Sequence, residues 1–234
     1  PVLWNGPAAL DLADVGDFTI ALGDIPETLR LIEAQAARFQ HLVTLGGDHS
    51  ITLPLLRALF KRIGPVALFH FDAHLDTWPD SFGQAYGHGS PFYHGLKEGL
   101  IDARRSVQIG IRSPVERAVH DWTMAQGLHV ITAEDVHLAG PLAIVARLRE
   151  IVGEAPAYLT FDVDALDPAF APGTGTPEIG GLATWQVQAI LRRLGGLRFV
   201  GMDVVEVSPP YDHAEITALA AATVAWEYLA LLPR

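Results

Sequence analysis

Carboxylates and imidazoles gather at three places in this sequence, each directly after a short apolar run. Asp72-Ala73-His74-Leu75-Asp76 follows Val66 to Phe71. If that strand continues, residues at i, i+2 and i+4 project to one side, so two carboxylates and one imidazole share a face. The run contains no Lys or Arg. Without a cation, such neighbours repel and hold protons more tightly than usual. Asp162-Val163-Asp164 ends a second run, with both aspartates on one face and Val163 turned to the core. Gly46-Gly47-Asp48-His49-Ser50 ends a third, where paired glycines permit a tight strand-to-helix turn. Plainer readings exist for each: Asp48 or Ser50 can cap the next helix, the aspartate pair can cap a turn, and 72–76 can be a solvated loop.

Taken jointly, the three places supply His49, Asp72, His74, Asp76, Asp162 and Asp164. That set is enough for two divalent ions sharing bridging carboxylates. The chain has no Cys, and an oxygen-and-nitrogen donor set favours Mn²⁺, with Zn²⁺, Co²⁺ or Fe²⁺ as alternatives. Its four aspartates balance the charge of two such ions. Glu206 closes the apolar run from Phe199 and could receive a planar guanidinium in fork geometry, or serve as a cap or a support for the ligands. His88 lies between glycines in a long loop, where an exposed imidazole could shuttle protons or simply sit at the surface. His70, His94, His120, His129, His137 and His213 lack a comparable setting and read as structural.

The elements that must position these groups alternate. Strands are expected at 41–45, 66–71, 107–111, 129–131, 158–163 and 199–207, with helices at 51–63, 114–126, 142–152, 185–194 and 215–232. Such alternation predicts parallel strands joined by right-handed helical crossovers, a doubly wound, mostly parallel sheet with helices on both faces. Ligands in these sheets collect at the carboxyl ends of strands, where all the motifs fall.

Composition narrows the partners. Of 234 residues, 50% are hydrophobic and 18% charged, as expected of one well-cored domain spanning 1–234. Lys plus Arg number 16 against 27 Asp plus Glu, a formal charge of −11, which disfavours nucleic acid and anionic lipid and suits a cationic substrate. Residues 1–12 lack the order of a secretory signal, so a cytoplasmic protein is expected. The apolar stretch 216–232 is interrupted by Glu227 and reads as a buried terminal helix, not a membrane span.

In order along the chain, GGDHS at 46–50, DAHLD at 72–76, HGSPF at 88–92, FDVDALDPAFAPGTGTPEIGGL at 161–182 and MDVVEVSPPYDHAEIT at 202–217 resemble the ureohydrolase family of arginases and agmatinases. LKEGLID at 96–102, VQIGIR at 107–112 and PGTGTPEIGGL at 172–182 resemble the agmatinase branch most. The resemblance implies a three-layer arginase-like α/β fold and a homo-oligomer, trimer or hexamer. It also implies two Mn²⁺ per chain, one held by His49, Asp72, Asp76 and Asp162 and the other by Asp72, His74, Asp162 and Asp164. It assigns His88 as proton shuttle and Glu206 as guanidinium acceptor; in the reaction so implied, Asp164 is expected to help stabilise the tetrahedral intermediate.

The activity so implied is manganese-dependent hydrolysis of agmatine to putrescine and urea by a metal-bridging hydroxide. Other guanidino substrates (4-guanidinobutanoate, proclavaminate-like compounds, arginine) and a metal-dependent deacetylase are the alternatives. Asp80, with no basic residue in 77–87, favours the ammonium tail of agmatine. Three departures stand out: Leu75 occupies a position the family usually fills with a small or hydroxyl residue, the loop 77–87, which in the family helps choose the substrate tail, is poorly matched, and the family's N-terminal segment, with its first strand and Gly-rich loop, is expected to be missing.

Overall fold

A computed structural model describes residues 10–233; positions 1–9 and 234, which the expected 1–234 domain includes, lie outside the described residues. The strands are β1 (Val43–Leu45), β2 (Ala67–Phe71), β3 (Val107–Ile111), β4 (His129–Thr132), β5 (Ala157–Asp162) and β6 (Phe199–Val205). They form one sheet in the order β1-β6-β5-β2-β3-β4, every pairing parallel. From β2 the chain steps outward to β3 and β4, then returns to β5 on the other side of β2. The direction of winding therefore reverses between β2 and β5, the place where such sheets open a crevice at their carboxyl ends.

Helices cover both faces. On one side lie α1 (Ile25–Ala36), α2 (Thr52–Ile63) and α3 (Pro91–Lys97), whose Leu29, Ile32, Leu53, Leu56 and Phe92 pack against Leu68, Tyr158 and Val200. On the other lie α5 (Ala133–Val152), α6 (Thr184–Leu191) and α7 (Ile216–Leu229), whose Val136, Leu148, Ile190 and Tyr228 pack on Phe69, Phe71, Leu159 and Phe161. A further helix, α4 (Arg117–Ala125), connects β3 to β4. β2 and β5 are buried along their whole length, which is why they read as continuous apolar runs and not as alternating ones. Burying each Phe or Leu side chain contributes roughly 1.5–3 kcal/mol.

Five expected helices are present with altered ends, and two were not anticipated. α1 starts at Asp24, whose carboxylate accepts from Glu27 N at 3.0 Å, with a Pro in the first turn. α3 grows out of the HGSPF segment. α5 begins nine residues before the expected Leu142, because the chain breaks at Gly140 (φ 77, ψ 160) ahead of Pro141 and then resumes. Helix α7 is buried on one side only: Leu219 is 67% and Trp226 49% exposed. Among the described residues no helix is long and apolar enough to cross a membrane.

Candidate metal centre

All six expected ligands come together at the carboxyl ends of β1, β2 and β5, though not by strand alternation. β2 ends at Phe71, so residues 72–76 leave the sheet in a turn, and Asp76 closes it in the left-handed region with φ 51. The turn is pinned by Asp72, whose Oδ1 accepts from His74 N at 2.6 Å. Asp162 ends β5, but Asp164 lies in a 3-10 turn and donates its N–H to Asp162 Oδ1 at 2.8 Å. Val163 is fully buried, as expected. His49 opens a short 3-10 turn leading into α2, capped by Asp48.

Two groupings result. His49 Nδ1 lies 3.3 Å from Asp72 Oδ2, 3.0 Å from Asp76 Oδ2 and 3.3 Å from Asp162 Oδ2. His74 Nδ1 lies 3.2 Å from Asp72 Oδ1 and 3.0 Å from Asp164 Oδ2. Asp72 thus faces both groupings with different oxygens. Asp164 Oδ1 accepts from Ala73 N at 2.9 Å, and Thr176 Oγ1 donates to its Oδ2 at 3.2 Å.

The tautomer of His49 decides what this pocket wants. Thr160 Oγ1 donates to Asp203 Oδ1 at 2.6 Å, so its lone pair accepts from His49 Nε2–H at 2.8 Å. That leaves Nδ1 as a lone-pair acceptor, buried and without an aligned hydrogen bond, surrounded by carboxylate oxygens that are acceptors too. Only a cation or protons satisfy such an arrangement. Oxygen and imidazole donors without sulfur fit Mn²⁺-type divalent ions, so the residues present fit a metal pair.

Proton affinities follow the same logic. Burial disfavours charge on His49, but Asp162, Asp72 and Asp76 outweigh it and hold its imidazole well above the ordinary range. Burial likewise opposes charge on His74, and Asp164 and Asp72 overcome it, raising His74 to about 11. Burial, reinforced by the charge of Asp72, pushes Asp76 up to about 7. Burial and the neighbouring carboxylates also raise Asp162 and Asp164. Asp72 goes the other way, because His70, His49 and His74 outweigh its burial.

Four supporting residues escaped the sequence reading. His70, expected to be structural, donates from Nε2 to Asp72 Oδ2 at 2.7 Å while its Nδ1 accepts from Gln108 Nε2 at 2.9 Å. Both ring nitrogens are engaged, so His70 orients Asp72 and is not itself a ligand; burial, despite Asp72, lowers it to about 4 and keeps it neutral. Gln108 is fixed in turn by the carbonyl of Leu75, at 2.6 Å. The unusual Leu75 therefore contributes through its backbone, with its side chain buried. Asp203, beneath Thr160, also accepts from Tyr158 and Thr52 at 2.8 and 2.9 Å. The only sequence trace of these supports was a polar residue inside a buried strand: His70, Gln108, Thr160 and Asp203.

Glu206 and His88 flank the pocket. Glu206 adopts φ 65, donates its N–H to Gly47 O at 2.6 Å and accepts from His49 N at 2.7 Å through Oε1. A non-glycine residue held there is strained backbone of the kind found at functional sites. Burial raises its pKa, against the pull of the His49 N–H. His88 Nδ1 lies 3.8 Å from Asp48 Oδ2, both half exposed. Glu206, His88 and Asp76 line a cleft of about 380 Å³, together with Trp78, Asp80, Phe82 and Glu116. Trp78 Nε1 donates to Glu116 Oε2 at 2.8 Å. Among the described residues no Lys or Arg lines the cleft.

The chain has relatives among known proteins. An agmatinase of Photorhabdus laumondii is 49% identical over 226 residues, spanning 95% of this chain and 71% of its own. The solved structure of a proclavaminate amidino hydrolase from Streptomyces clavuligerus superposes with a TM-score of 0.90 at 40% identity, covering 94% of this chain and 75% of that one. A hypothetical agmatinase from Burkholderia thailandensis gives 0.88 at 47% identity, covering 95% and 70%. Residues 3–230 match the description of the Arginase family. With the six-stranded parallel sheet and the imidazole-carboxylate cluster at its winding reversal, this match settles that the chain belongs to the arginase family.

Proposed function

We propose that this arginase-family hydrolase converts agmatine and water to putrescine and urea, with two Mn²⁺ ions held by His49, Asp72, Asp76 and Asp162 and by Asp72, His74, Asp162 and Asp164. The observation that carries the reading is the buried, unpartnered Nδ1 of His49 among three carboxylates. When bound, such a pair supplies Lewis acidity and makes water nucleophilic near neutral pH. A trimeric or hexameric assembly accompanies this reading through the resemblance alone, and a cytoplasmic location through the absence of a secretory pattern in residues 1–12.

The chain's own residues do the remaining work. Glu206, anchored on His49 N, presents its carboxylate to the guanidinium in the cleft and fixes its carbon for attack. Attack by water breaks the bond between that carbon and the alkyl-bearing nitrogen, releasing urea and the amine. The departing nitrogen needs a proton. His88, raised above its ordinary pKa chiefly by Asp48, holds its proton more tightly than a free imidazole and is exposed enough to exchange with solvent. Asp164, bridged to Ala73 N and Thr176, stays fixed while charge redistributes.

The tail end favours agmatine over its carboxylate-bearing analogues. Asp80 and Glu116 line the cleft with no cation to receive a carboxylate, whereas a terminal ammonium gains from both. The test is urea release by Mn²⁺-loaded protein from agmatine, 4-guanidinobutanoate and arginine. Agmatine should give the highest kcat/KM, and His88→Ala should lower kcat by about 10²–10⁴-fold. An equal or higher kcat/KM for either carboxylate-bearing compound would reject the substrate, and no urea from any would reject the activity.

A further inference from the structure

Arg112 follows the last residue of β3, beside the turn that carries Asp164, and its side chain is spent entirely on backbone carbonyls. Nη2 donates to Glu178 O at 2.6 Å, Asp164 O at 2.7 Å and Leu166 O at 3.3 Å. Nη1 donates to Gly110 O at 3.0 Å and Ala165 O at 3.3 Å, and Nε reaches Glu178 O and Ile179 O, both at 3.2 Å. Through its main chain, Arg112 N and Ser113 N hold Ala73 O at 2.9 and 3.0 Å.

The negative ends of the 164–166 and 178–179 carbonyls converge on one point and would repel one another if that point were empty. A planar guanidinium with five donors serves such a fan of acceptors, while an ammonium offers three on a single nitrogen. The fit is close. A Cβ on Gly181 would fall 2.5 Å from Arg112 Nη2.

What Arg112 gathers is one half of the centre. The 164–166 turn carries Asp164, the Ala73 peptide joins Asp72 to His74 and donates to Asp164 Oδ1, and the loop before Glu178 carries Thr176, which holds Asp164 Oδ2. The His49 half hangs instead on Thr160 and His70, which Arg112 does not touch.

We propose that Arg112 is a positioning residue for the His74–Asp164 half of the centre, fixing the backbone from which Asp164 projects. This rests on the paired-cation reading given above. Loss of the carbonyl fan loosens that half and spares the His49–Asp76 half.

Calorimetric titration of metal-free wild type and Arg112→Lys with Mn²⁺, followed by electron paramagnetic resonance, tests it. Wild type should bind two ions and show a coupled pair. Arg112→Lys should bind one ion with unchanged affinity and the second at least about tenfold more weakly, with an uncoupled signal at two equivalents. Identical isotherms overturn the inference, and so does uniform weakening of both sites, the outcome of a general loss of structure. Fewer than two ions in wild type removes the paired-cation reading itself. If Arg112→Lys does not fold, hydrogen exchange in wild type decides: the second equivalent should slow exchange at 178–182, and no change there overturns the inference.

Discussion

The imidazole of His88 and the carboxylate of Asp48 set each other's protonation across 3.8 Å. Burial opposes charge on Asp48, but His88 and the Ser50 N–H hold it down at about 2. His88 is raised chiefly by Asp48. The two signs differ. His88, raised in the folded chain, contributes stability fully below its unfolded value of about 6.5, and loses it as pH climbs through the folded value. Asp48, depressed, contributes above about 3.9 and loses it as pH falls through its folded value. Replacing Asp48 by Asn is expected to bring the His88 titration, followed by NMR of its ring protons, back toward about 6.5; an unmoved midpoint would show that Asp48 does not govern it. Much of the site was legible at this scale, because His49, Asp72, His74, Asp76, Asp162 and Asp164 each follow an apolar run. His70 was not. Its neighbours in sequence are all buried, and nothing linear reveals that Gln108, 38 residues away, turns its second nitrogen toward Asp72.

Strand β5 links the centre to the sheet interior through one hydroxyl. Thr160 accepts from His49 and donates to Asp203 on the adjacent β6, so the hydroxyl fixes a tautomer and satisfies a buried carboxylate at once. Thr160→Val keeps the shape and removes both bonds. Stability should fall by about 1–3 kcal/mol, since buried polar groups are left without partners, and Mn²⁺ affinity by about 10–100-fold; denaturant melts and metal titration check the two parts separately. Elements were readable where hydrophobic pattern alone determines them, as in β2, β3, β5 and β6. Helices were not all anticipated in full: α1 carries Leu29, Ile32 and Ala36 at helical spacing behind the Asp24 cap and Pro26, a pattern the reading passed over, and the first half of α5 is hidden because Gly140 and Pro141 interrupt the periodicity. The expected strand 66–71 ends at Phe71 as read, and of the two readings of 72–76 the structure takes the turn, in which the Asp72–His74 hydrogen bond replaces the ladder.

At the scale of the whole molecule, four of the 27 acidic residues behind the net charge of −11 meet in one buried cluster that must bind either protons or metal. The two compete. His49, His74 at about 11 and Asp76 at about 7 must release protons before a cation can enter. Thermal melts should therefore show Mn²⁺ raising Tm more at pH 8 than at pH 6, with a gain of about 2.7 kcal/mol when free ion exceeds Kd a hundredfold, and chelation should reverse it. A Tm indifferent to Mn²⁺ at both pH values would contradict metal binding by the folded chain. The layered architecture itself was foreseeable from the alternation of runs, whereas the strand order, and with it the reversal beside β2, depends on long-range packing that no local pattern records. The cleft draws its lining from different sources: Asp162 and Glu206 sit at strand ends, whereas Trp78, Asp80, Phe82 and Glu116 come from loops. Selection in the laboratory for new amine products can thus be confined to four codons, leaving the hydrolytic apparatus unaltered while those loop positions are redrawn.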